Sequence, residues 1–149
     1  MAGPSSADRY DSAMAKRARG SPRGIARSAA RARAFDQLVE RALAAIPDPY
    51  RQALREVAVI VEDEPSPEQL RENDLEPWDT MYGLYEGVPR TDYGAEWAAS
   101  PNRITLFRLP LQEDFPDPRD LADEVRITVI HELAHHLGID DDRLEDLGV

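Results

Sequence analysis

Apolar positions recur along the chain with two periods, and each period predicts an element. Phe35, Leu38, Val39, Ala42, Leu43 and Ile46 fall at i, i+3, i+4, i+7, i+8 and i+11. That spacing gathers side chains on one face of an α-helix. Pro47 and Pro49 end the pattern, since proline lacks the N–H a helix needs. Asp48-Pro49 reads as the cap of a short second helical turn reaching about Leu54. Val57, Val59 and Val61 then alternate with Ala58 and Ile60 and stop at Glu62-Asp63-Glu64-Pro65. This predicts a strand buried on both faces. Pro65, Pro67, Pro77, Pro89 and Pro101 punctuate the next stretch, within which Met81–Gly87 predicts a short strand. Ile104, Leu106 and Arg108, alternating with Thr105, Phe107 and Leu109, predict another, closed by Pro110.

The last element has the clearest ends. Asp117 is placed to cap a helix, Pro118 to occupy its first position, and Asp120 and Asp123 to meet the positive end of its dipole. Leu121, Val125, Thr128, Val129, Ile130, Leu133, Ala134 and Leu137 form its apolar stripe, and Gly138 supplies a left-handed stop. Pro118 to Leu137 makes a helix about 30 Å long.

Composition narrows the possibilities. The 149 residues include no cysteine, so disulfides and thiolate metal sites are excluded and a metal must be held by His and carboxylates. Every apolar run is far shorter than the ~18 residues of a membrane span. The formal charge of −11 is unevenly spread. Residues 1–33 carry eight basic and two acidic groups, +6, which leaves −17 on the remainder. This asymmetry predicts a basic, disordered arm over 1–33, turning helical from about Ile25, and a folded domain over 34–149. The arm lacks the apolar core of a secretory leader, so a cytoplasmic location is expected. It is a solvated tail, or the one segment suited to contact nucleic acid or an acidic membrane. No membrane association is otherwise expected, and the oligomeric state stays open.

All three histidines, His131, His135 and His136, lie in the C-terminal half of the long helix. His131 and His135 are four apart, so one turn puts both rings on one side, where they can share an ion. Glu132 sits about 100° round from His131, placed to touch a metal-activated water. Two histidines leave a zinc site incomplete. Gly138 can turn the chain back, and Asp141, three residues on, can close the triangle, with Asp140 and Asp142 as competitors. The bland alternative is a helix end whose histidines favour the dipole. His136, 100° from His135, suits a hydrogen-bonding role better than ligation. The acids at 62–64 and 140–146, Asp141 apart, read as solvated faces, and Trp78 and Trp97 as core or partial cover.

The run HExxHxxGxxD resembles zincin metallopeptidases of the His-His-Asp type. The fuller string HELAHHLGIDDDRLEDLG resembles a small bacterial family of minimal, single-domain zincin-like metallopeptidases. The resemblance extends over roughly residues 35–149. It implies one zinc on His131, His135 and Asp141, with Glu132 as catalytic base, and a peptide or protein substrate. It also implies an α+β fold, a small mixed sheet packed on the N-terminal helix and the long C-terminal active-site helix. Larger relatives continue to a methionine turn beneath the metal; here only eight residues follow Asp141, none of them Met. A second electrophile is sought among Tyr82, Tyr85, Tyr93 and His136. The strand at Arg103–Leu109 is either a sheet edge for an extended peptide or an ordinary core strand.

Two other classes compete with peptide hydrolysis. A bacterial RNA-maturation family has three histidines at this ligand spacing, but Glu132 and an acidic body that repels phosphate argue against RNA. A non-catalytic interaction module would keep the metal only for stability.

Overall fold

In the computed structural model, which describes residues 21–87, 102–139 and Asp142, the 3.6-residue pattern at Phe35 becomes helix α1, Pro22–Ala44. The helix begins at Pro22, three residues before Ile25. The chain divides into two units, residues 1–34 and 35–149. In the first, the described residues expose nearly every side chain; Ala32 alone is half-buried. In the second, Phe35, Leu38, Val39 and Ala42 of α1 are buried, as their spacing requires. The remainder of the basic arm lies outside the described residues.

Helix α2, Tyr50–Ala53, passes directly into a 3-10 turn, Leu54–Glu56. Strand β1, Ala58–Glu62, follows, then α3, Pro67–Glu72. The apolar pattern alone does not predict α3, yet Ser66-Pro67-Glu68-Gln69 carries a capping box. Ser66 Oγ accepts from the Gln69 N–H at 3.0 Å, and Gln69 Oε1 accepts from the Ser66 N–H at 2.8 Å. Among the described residues, strands β2, Gly83–Glu86, and β3, Arg103–Phe107, form with β1 a three-stranded mixed sheet of order β1-β3-β2. β1 pairs β3 in parallel with Val59 opposite Ile104, and β2 pairs β3 antiparallel with Leu84 opposite Thr105.

The sheet order corrects one expectation and decides another. β1 is an edge strand, so its residues are half-buried or exposed rather than covered on both faces. β3 is central and cannot accept a further strand; its last four residues are all buried. Nor does Pro110 close β3. The strand turns at Phe107 into helix α4, Arg108–Asp114. Pro110 falls in the first turn, where a missing N–H costs no hydrogen bond. Arg108 is nearly buried and donates through Nε and Nη2 to Asp63 Oδ1 at 3.1 and 2.8 Å. Asp63 of the acidic run is therefore an ion-pair partner as well as a surface acid. Trp78 is 78% exposed rather than covered, and Trp97 and Tyr93 lie outside the described residues.

Helix α5, Pro118–His136, has the predicted N-terminus, Asp117 Oδ1 accepting from the Arg119 N–H at 2.8 Å. Its far end closes in a Schellman motif. Gly138, at φ 74°, donates to the His135 carbonyl at 3.1 Å, and Ile139 donates to the Ala134 carbonyl at 2.8 Å. Val125, Val129 and Leu133 of α5 are fully buried with Ile104 and Leu106 of β3 and with Phe35 and Leu38 of α1. Each such aliphatic side chain contributes about 1.5–3 kcal/mol by leaving water. Thr105 and Phe107 face the other side of β3, where Phe107 packs with Leu70, Met81 and Leu84. Among the described residues no helix is long and apolar enough to cross a membrane.

Candidate active site

Helix α5 carries the motif, and β2 lies along it in step. Two strand residues advance about 6.8 Å, and four helix residues about 6 Å. Gly83 therefore meets Thr128 and Tyr85 meets Glu132, one helical turn on. A Cβ on Gly83 would lie 2.6 Å from Thr128 Cγ2, so glycine is what permits the approach. Gly83→Ala is expected to lose roughly 1–3 kcal/mol from overpacking. Adding Thr128→Ser, which removes the opposing methyl, should recover most of it. Urea unfolding of both single variants and the double variant measures the coupling; additive losses would show that Thr128 does not set the spacing.

The Phe107 N–H donates to the Tyr82 carbonyl at 2.9 Å. By the two-residue alternation of an antiparallel ladder, Tyr82, Leu84 and Glu86 bond β3 while Gly83 and Tyr85 turn their backbone groups to the sheet's outer edge. There the Tyr85 N–H donates to Glu132 Oε2 at 3.1 Å. The same carboxylate oxygen lies 3.3 Å from His135 Nδ1. Glu132 is 17% exposed and His135 47%; His131 is half-buried. The motif thus presents a partly sheltered carboxylate beside the exposed His135 imidazole, with the half-buried His131 one turn back on α5.

His136 points elsewhere. It is fully buried, and both ring nitrogens have partners. Nε2 is 2.7 Å from Glu56 Oε2, and Nδ1 is 3.0 Å from the Tyr85 hydroxyl. Tyr82 is committed to another acid, its hydroxyl donating to Asp114 Oδ2 on α4. That hydrogen bond first, then burial and the nearby carboxylates of Asp114 and Glu124, push the Tyr82 phenol up to about 12. The sequence has no signal for Glu56, which lies 80 residues from His136. It does hold one for Gly83, a glycine inside a short strand.

A cleft of about 220 Å³ lined by Leu70, Asp79, Met81, Leu109 and Asp114 contains none of the motif residues. Among the described residues no three His, Cys, Asp or Glu side chains are grouped to hold a metal. Asp141 and Asp140 lie outside them, and Asp142 is helical and exposed. The donors that are described fit zinc in kind, two imidazoles from one helical face with a carboxylate beside them.

None of the curated proteins compared with the chain matches it. The family model described as zincin-like metallopeptidase matches residues 54–149. That span contains β1, the whole sheet, α5 and the motif, and it exceeds half of the chain, which therefore belongs to the zincin-like metallopeptidase family.

Proposed function

We propose that the chain is a zinc-dependent peptide hydrolase in which His131, His135 and Asp141 hold one zinc ion and Glu132 is the general base. One observation carries the reading. The Glu132 carboxylate is held by the Tyr85 N–H at 3.1 Å, beside His135 at 3.3 Å. That anchoring supports the role of a base serving an ion on the two histidines. When bound, the ion supplies Lewis acidity to a water and to the substrate carbonyl. Glu132 takes the proton of the attacking water and returns it to the leaving amine. The Tyr85 N–H is taken by Glu132, so an extended peptide adding to the β2 edge would meet the outward backbone groups of Gly83. β2 takes the role that β3, being central, does not fill.

The test is a peptide library and an RNA panel, each run with and without chelator, on protein of measured zinc content. The expected result is about one zinc per chain and chelator-sensitive cleavage of peptides alone. Cleavage of RNA would favour a nuclease. Zinc without cleavage of either would favour a module stabilised by its metal.

A further inference from the structure

We infer that Glu56 and His136 are positioning residues for Glu132, acting through Tyr85. The inference rests on Glu132 being the base.

His136 is fully buried one residue beyond a proposed ligand. An apolar side chain would fill the space without needing polar partners. The imidazole instead has one at each nitrogen. Glu56 is an acceptor, so Nε2 carries the hydrogen toward Oε2 at 2.7 Å. In the neutral ring Nδ1 is then an acceptor, and the Tyr85 hydroxyl donates to it at 3.0 Å. The rings of Tyr85 and His136 lie 5.8 Å apart and tilted by 51°.

Tyr85 is consequently gripped twice by α5. Its side chain is held by His136 and its main-chain N–H by Glu132, one helical turn earlier. Two attachments on one helical stripe fix both the height and the twist of β2 at this residue. The same attachments hold Glu132 Oε2 and so set the direction in which the carboxylate presents its other oxygen. Glu56 completes the chain from the 3-10 turn that precedes β1. Removing the Glu56 acceptor frees the ring to reorient and loosens the Tyr85 hydroxyl, and the effect reaches Glu132 through the Tyr85 amide. None of these steps requires His136 to touch substrate or metal.

The experiment compares Glu56→Ala, Glu56→Gln and Tyr85→Phe in the zinc-loaded full chain. Hydrogen exchange of the Tyr85 amide is measured alongside the Ile104 and Leu106 amides of the central strand, with kcat and KM on whichever peptide the library yields. Glu56→Ala and Tyr85→Phe should speed Tyr85 exchange about tenfold more than exchange at Ile104 and Leu106. They should lower kcat about tenfold with KM within about twofold. Glu56→Gln keeps an acceptor oxygen and should stay within about twofold of the parent in each respect. Equal acceleration at all three amides, or Tyr85 exchange unchanged in Glu56→Ala and Tyr85→Phe, would overturn the inference. Failure of the peptidase reading shows separately, as a parent that binds zinc and cleaves nothing; the exchange comparison then decides the coupling by itself.

Discussion

Glu132→Gln should retain the zinc of the parent and lose about 10²–10⁴-fold in kcat, the usual contribution of a positioned base. The substitution is close to isosteric. The carbonyl oxygen of the introduced amide can still accept the Tyr85 N–H that now bonds Glu132 Oε2 at 3.1 Å, so β2 keeps its seat on α5. What disappears is basicity, since an amide oxygen does not take up a proton from water near neutral pH. Zinc stoichiometry by elemental analysis separates this loss from loss of the metal. Unchanged KM separates it from loss of substrate binding. Activity within a few-fold of the parent would remove Glu132 from the role of base. That result would shift attention to the RNA and interaction readings, in neither of which Glu132 is needed.

The motif is legible in the sequence because it is local. The separation of His131, Glu132 and His135 is set by helical geometry alone, once Asp117, Pro118 and Gly138 have marked the ends of α5. The Asp117 cap and the Gly138 turn stand where their chemistry puts them. What the sequence hides depends on which strands are neighbours. Val57–Val61 reads as largely buried on both faces by composition, but among the described strands β1 lies at the edge of the sheet, and no local pattern encodes strand order. Pro110 reads as a stop because proline ends strands. It also suits the first turn of a helix, and the buried Arg108 paired with Asp63 draws the chain into α4. The capping box at Ser66 is present in the letters but lies among prolines that favour a loop reading. Glu56 is the extreme case. An ordinary surface glutamate by sequence, it acquires a partner only when the fold brings the end of α5 beside the 3-10 turn.

Asp141→Ala is expected to weaken zinc binding by more than ~100-fold, since loss of a ligand should exceed the ~10–100-fold cost of losing a ligand's hydrogen-bond partner. Asp140→Ala and Asp142→Ala should change it by less than ~10-fold on the same scale. The Schellman turn at Gly138 ends the helix and turns the chain. An ion held by His131 and His135 would lie level with residue 133, about 7.5 Å back along the axis from Gly138. Three extended residues span up to about 10 Å, so residue 141 can return that far. The HExxHxxGxxD run separates the three aspartates, since its last position falls on Asp141. Ile139 packs against the core that includes Leu133 and Ala134. Competition for zinc against a chromophoric chelator measures all three variants under one condition. If Asp140→Ala carries the loss and Asp141→Ala does not, the third ligand must be reassigned to Asp140. If none of the three loses affinity, the two histidines hold the ion with a donor from elsewhere in the chain, and a His-His-Asp centre is excluded.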